Sequence, residues 1–144
     1  MKKLLVLAFL LIAFSASTFA QVTASATSTA TIVAPIGITN TVDMNFGNIA
    51  VSGAGTVVLD PAGTRTTTGA ITLPAITGTV TAASFDVTGN DGYTYTITLP
   101  STDYTITRVS GSETMIVNTF TSNPNGTGTL TGGSETLNVG ATLN

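Results

Sequence analysis

The chain has 144 residues and a formal net charge of −3 at pH 7, and it contains no Cys and no His. These absences exclude a disulfide, a thiolate or imidazole metal site and a nucleophile activated by histidine, so the sequence predicts no cofactor. Apart from two lysines near the N-terminus, the only cations are two arginines, which are too few to bind nucleic acid or an anionic lipid surface.

The N-terminal residues have the pattern of a secretory leader. Two lysines precede an apolar run over residues 4–14, and small polar residues follow it, then Thr18, Phe19 and Ala20. The run is shorter than the roughly 20 apolar residues that a membrane-spanning helix needs. We therefore predict a signal peptide over residues 1–20, cleaved between Ala20 and Gln21, and a single mature domain over residues 21–144 with no membrane span.

The mature chain begins with an alternating segment that predicts a strand over residues 23–33. Thr and Ser occupy one face, and the other face, interrupted by Ser28, carries Val22, Ala24, Ala26, Ala30 and Ile32. This second face could be a donor strand that enters a neighbouring subunit. The simpler alternative, favoured because most of these side chains are small, is that the segment is the first strand of its own sheet.

Short strands with turn residues between them are predicted next along the chain. They contain many Val, Ile and Thr residues, whose β-branched side chains suit a half-buried pleated surface. The predicted strands are residues 42–46, 55–59, 70–73 and 78–82. The turns are predicted at residues 35–37 and 60–63, where Pro and Gly cluster.

The clearest alternation lies in the middle of the chain. From Tyr93 to Leu99 every odd position is large and apolar and every even position is Thr, and residues 85–88 alternate in the same way. Residues 89–92 read Gly-Asn-Asp-Gly, which is typical of a hairpin turn. The pattern therefore predicts a β-hairpin over residues 83–99.

Four more strands complete the predicted set, at residues 104–109, 115–120, 128–131 and 137–143. About nine or ten short strands with no helix between them are typical of an antiparallel sandwich. We therefore predict an all-β protein built as one antiparallel β-sandwich.

Few residues are candidates for chemistry. Asp86, Asn90 and Asp91 are oxygen ligands close together, but their spacing does not match a helix-loop-helix calcium site, and a turn is the simpler interpretation. Asp103 and Glu113 could pair for acid-base catalysis, although nothing places them in one cleft. We predict no catalytic, cofactor-binding or metal residues.

Five short motifs resemble, in order, a bacterial family catalogued as domain of unknown function 4402. They are residues 44–49, residues 83–89, the Tyr-Thr-Ile-Thr-Leu-Pro run ending at Pro100, residues 115–117 and residues 137–143. The resemblance implies an exported, immunoglobulin-like β-sandwich with no established activity, similar in style to fimbrial subunits.

The end of the chain departs from that family. Members usually continue past the Gly-Ala-Thr-Leu motif into one more strand, whereas this sequence stops at Asn144. Two alternatives stay open: the sequence is a fragment, or the sandwich lacks its last strand because a neighbouring subunit supplies it.

The sequence leads us to expect a structural or adhesive protein of pilin-like kind without catalytic activity. Its expected partners are further copies of itself or a fimbrial subunit, joined by strand addition. It would be exported to the periplasm, the medium or the cell surface. The alternative is a secreted module that binds carbohydrate or another ligand through exposed tyrosines among Tyr93, Tyr95 and Tyr104.

Overall fold

The computed structural model describes residues 22–107 and 111–144. The predicted signal peptide and its cleavage site at Ala20 and Gln21 lie outside the described residues. Residues 22–31 belong to a different unit from the compact one, Ile32–Asn144, and they contain no strand. Within the described ranges, no helix has the length and apolarity needed to cross a membrane.

Nine β-strands form in the described part of the chain, and all of their pairings are antiparallel. They are β1 (Gly37–Val42), β2 (Ala50–Leu59), β3 (Arg65–Thr72), β4 (Ala83–Thr88), β5 (Thr94–Thr96), β6 (Tyr104–Thr107), β7 (Thr114–Asn123), β8 (Thr127–Thr129) and β9 (Ser134–Leu143). The architecture confirms the predicted all-β antiparallel sandwich.

Strand β9 lies at the centre of the larger sheet. That sheet has seven strands in the order β1-β4-β9-β2-β3, with β7 also paired to β9 and β6 paired to β7. Leu143 is opposite Val57 of β2 and also opposite Val117 of β7, so β9 is hydrogen-bonded along both edges there. The smaller sheet contains only β5 and β8.

The core consists of two apolar clusters that share partly buried side chains. Val87, Leu137 and Val139 belong to the first cluster, and Val57 and Leu143 belong to the second. Two partly buried residues, Met44 and Phe120, pack against both clusters. Every second residue of β9 from Leu137 to Leu143 is buried, as expected for a strand with one apolar face.

The predicted hairpin over residues 83–99 is wrong. Strand β4 pairs with β1 and β9, whereas β5 pairs with β8, so the two strands lie in different sheets. The predicted turn at residues 89–92 does form, and within it the amide of Tyr93 donates to the carbonyl of Asn90 at 3.3 Å. Val87 and Tyr95 belong to the same apolar cluster, because both strands bury their apolar faces in one core instead of pairing edge to edge.

The prediction of a first strand over residues 23–33 is also wrong. The first strand begins at Gly37, inside the Pro-Ile-Gly sequence that was predicted to be a turn. No described strand pairs with residues 23–33, so their alternating pattern forms no ladder within one molecule. Val42 is the last residue of β1, and the other residues of the strands predicted at 42–46 and 78–82 form only an isolated bridge between Asn45 and Thr81.

The remaining predicted strands overlap observed ones, with different ends. Residues 55–59 lie within β2, and residues 137–143 form most of β9. Residues 108 and 109 of the strand predicted at 104–109 lie outside the described residues, and the first four residues form β6.

Val57 and Val58 test which face of β2 packs against the core and which faces solvent. Val57 is 1% exposed and Val58 is 37% exposed. Val57→Ala is expected to lower the free energy of unfolding by about 2 kcal/mol, because it leaves a cavity in the second cluster. The matched change Val58→Ala should cost less than about 1 kcal/mol. Urea unfolding of both variants checks this, and equal losses would contradict the described faces.

Candidate functional site

An apolar slot lies between the two sheets. It encloses about 470 Å³ and is bounded by β1, β4 and β9 on one side and by β5 and the residues after it on the other. The lining residues, none of them charged, are Ile36, Gly37, Ile38, Met44, Ala83, Phe85, Val87, Tyr95, Thr96, Ile97, Thr98, Leu99, Pro100, Phe120, Leu137 and Val139. We call this cavity the slot.

One wall of the slot carries backbone groups without a strand partner. The carbonyl of Tyr93 accepts from the amide of Leu130 at 2.9 Å, and the amide of Ile97 donates to the carbonyl of Gly126 at 2.9 Å, both on the β8 side. Backbone groups alternate in direction along a strand, so those of Thr94, Thr96 and Thr98 point away from β8. Among the described strands β5 pairs only with β8, and we call these three residues the free edge.

The opposite rim of the slot is formed by β1 and the residue before it. Within the described residues β1 pairs only with β4, so its other edge is also open. Ile36 is 57% exposed and Ile38 is 62% exposed, and both line the slot. Large apolar side chains gathered at an open groove are typical of a surface that binds another molecule.

A second cavity of about 410 Å³ lies next to the slot and shares Ile36 and Tyr95 with it. Its other lining residues include Ala34, Asn90 and Tyr93. The side-chain oxygen of Asn90 accepts a hydrogen bond from the amide of Ala34 at 3.0 Å, which fixes the chain just before β1.

Tyr95 is the one titratable residue in the slot wall. Its hydroxyl is buried and has no hydrogen-bond partner of good geometry among the described residues. Burial, together with the neighbouring Glu135 carboxylate, raises the pKa of Tyr95 to about 12. Gly128 of β8 makes room for this pair, because a Cβ there would lie 2.2 Å from the Tyr95 ring and 2.4 Å from Oε2 of Glu135. The hydroxyl therefore ionises at a higher pH than an ordinary tyrosine.

Most carboxylates whose hydrogen bonds are described accept them from backbone amides. Oδ1 of Asp60 accepts from the amides of Ala62 and Thr64 at 3.0 and 2.7 Å, which confirms the predicted turn at residues 60–63. Oε2 of Glu135 accepts from the amide of Thr129 at 2.8 Å. These carboxylates cap turns and strand ends, which is a structural use.

The candidate calcium ligands do not converge. Asp86 is exposed on β4, and the side-chain oxygen of Asn90 is occupied by Ala34. Oδ1 of Asp91 accepts from the amide of Gly132 at 2.7 Å. The part of the chain that the structure describes holds no group of three or more acidic residues able to bind a metal.

The candidate acid-base pair lies at two ends of one hairpin. Asp103 accepts a hydrogen bond from Asn118 at 3.0 Å, near the middle of β7, whereas Glu113 directly precedes β7. The rise of a strand places them on the order of 15 Å apart. They do not share a cleft.

The three tyrosines have different environments. Tyr95 is half-buried, but Tyr93 is 52% exposed and Tyr104 is 51% exposed. Tyr104 packs edge-to-face against Phe120, with ring centroids 5.8 Å apart. Tyr93 lines the second cavity.

The five residues of the predicted donor face are all exposed. They lie outside every strand and are Val22, Ala24, Ala26, Ala30 and Ile32. Val22 is 91% exposed and Ile32 is 95% exposed. The slot itself was not predicted from the sequence, although the spacing of Ile36 and Ile38 carries the period-2 signal that could have placed them on one face of a strand.

Comparison with known proteins gives one match. A protein-family model described as "Domain of unknown function (DUF4402)" matches residues 36–144. No curated protein and no solved structure matches the chain. The matched residues include both cavities except for Val33, Ala34 and Pro35.

Tyr95→Phe should change how stability depends on pH. In the wild type the unfolded chain ionises near the ordinary tyrosine pKa of 10.0, while the folded chain holds the proton of Tyr95 up to about 12. The stabilisation is therefore complete below pH 10 and is lost as pH rises from 10 to 12. Between pH 10 and 12, the free energy of unfolding of Tyr95→Phe should therefore depend less steeply on pH than that of the wild type. The control Tyr93→Phe, which changes an exposed tyrosine, should keep the wild-type slope. Identical slopes for the two variants would contradict a buried hydroxyl.

Proposed function

The chain belongs to the DUF4402 family, and within that family we propose that it is an exported structural or adhesive subunit of pilin-like kind. It assembles with further subunits on the cell surface by adding a strand from one subunit to the slot of the next. It acts through its surface and carries out no catalysis.

The observation that carries this proposal is the coincidence of an apolar slot with the free edge. Thr96 and Thr98 belong to the free edge and also line the slot, so a strand added there would gain backbone hydrogen bonds and bury its side chains together. Main-chain bonds supply affinity in strand addition and pockets for alternate side chains supply specificity. An open sheet edge that nothing covers would promote uncontrolled aggregation, so a dedicated occupant is expected.

The composition agrees with a role outside the cytoplasm. The N-terminal residues have the pattern of a secretory leader, and 8% of the residues are charged. Threonines on the exposed side of β3, including Thr66 and Thr68, give the sheet a polar but uncharged outer surface. Such a surface can pack against other subunits without desolvating ions.

A denaturing gel of the protein taken from cells that naturally produce it tests the proposal. Without boiling, we expect a ladder of bands at multiples of the subunit mass, because a strand inserted in an apolar slot dissociates slowly. With boiling, the ladder should collapse to one band, and sequencing of that band from its N-terminus should begin at Gln21.

Two results would overturn the proposal. A single subunit band in both lanes, together with a monomer in sedimentation at high protein concentration, would argue against assembly. A band that begins at Met1 and remains in the cytoplasmic fraction would argue against export.

A second candidate function rests on the position of Tyr93. Its exposed ring lines the second cavity, and an aromatic ring beside polar groups is a common platform for a saccharide. If the domain binds saccharides there, titration with a panel of oligosaccharides should change tyrosine fluorescence. Tyr93→Ala should abolish the response and the equally exposed Tyr104→Ala should keep it. No response from the wild type would eliminate this candidate.

A further inference from the structure

We propose that residues 22–33 of one copy form the strand that enters the slot of a second copy and pairs with its free edge. We call residues 22–33 the donor segment. This inference rests on the proposed function, because it names the occupant of the slot in that assembly.

The donor segment has the pattern of a strand but forms none in its own molecule. Its alternating face ends in Ile32, which is 95% exposed, and no residue of the segment pairs with a described strand. Its backbone groups are therefore available for a ladder with another chain. A two-residue period on a solvent-exposed segment is what an inserted strand requires, because alternate side chains would point into the slot.

The slot and the donor segment also match in charge. None of residues 22–33 is charged, and none of the residues that line the slot is charged. Insertion would therefore bury apolar surface without removing an ion from water. The desolvation of a charged group costs much more free energy than the burial of a neutral one. Ile32 is the largest side chain of the alternating face and anchors the segment in the slot.

A second copy is a better acceptor than the donor's own slot. Self-insertion would require the chain to reverse direction between Ile32 and Gly37. The amide of Ala34 donates to the side-chain oxygen of Asn90 at 3.0 Å, and a reversal of the chain through Ala34 would break that hydrogen bond. Pairing between copies leaves this hydrogen bond in place.

The absence of cysteine in the chain makes a direct test possible. A Thr31→Cys protein is denatured, mixed with a Thr96→Cys protein and refolded, and the mixture is then treated with a short thiol cross-linker. We expect a heterodimer of the two single-cysteine proteins, since insertion holds the thiols at an effective concentration on the order of millimolar. In the matched control, a Thr66→Cys protein is used instead of the Thr96→Cys protein. Because Thr66 lies on β3, at a different edge of the sandwich, this mixture should give almost no cross-linked heterodimer.

A pair of aspartate variants tests the inserted face. Ile32→Asp would place a charge inside the slot, so the unboiled ladder should be lost, whereas Thr31→Asp on the opposite face should keep it. Both residues are exposed in the single molecule, so the urea midpoint of each variant, measured on separated subunits, should equal that of the separated wild-type subunit.

The outcomes separate this inference from the proposed function. A ladder that survives both aspartate changes, or cross-linking to Thr66→Cys as strong as to Thr96→Cys, would overturn the donor segment while leaving assembly intact. The absence of any ladder from the wild type would overturn assembly itself, and the inference with it.

Discussion

The structure depends on the two-sided pairing of β9. This strand lies opposite β4 along its first half, opposite β2 at its end and opposite β7 across the other edge. Its alternate residues Leu137, Val139, Ala141 and Leu143 are buried and take part in both apolar clusters. Because one strand supplies hydrogen bonds to three neighbours and apolar surface to the whole core, the positions of the other strands follow from it.

An imbalance between the two sheets creates the slot. Seven strands form one sheet, whereas only β5 and β8 form the other, and both strands of the smaller sheet have three residues. So small a sheet leaves part of the apolar face of β1 and β4 uncovered, which explains the exposure of Ile38 beside the buried Val87. A cavity lined by apolar residues and bordered by unpaired backbone groups is unfavourable in water, and an added strand removes both costs at once.

The chemistry of the chain agrees with a function that resides in this surface. Arg65 illustrates how the described charged groups are used: Nη1 donates to the carbonyls of Phe46 and Asn48, so it fixes a loop. The carboxylates of Asp60 and Asp91 likewise hold backbone amides in turns. Such contacts stabilise a scaffold, and the apolar slot is the feature of that scaffold suited to binding a partner.

The sequence alone determined the all-β class, the antiparallel sandwich and the one-faced alternation of segments such as residues 93–99 and 137–143, because side-chain direction in a strand follows from the local backbone. It could not determine which strands are neighbours. Residues 83–99 illustrate the reason: a Gly-Asn-Asp-Gly turn joins two alternating strands equally well within a sheet or across a sandwich. Only the tertiary structure placed β4 and β5 in different sheets, formed no strand over residues 23–33 and opened the slot between Ile38 and Ile97, since pairing depends on the apolar area that distant strands bury together.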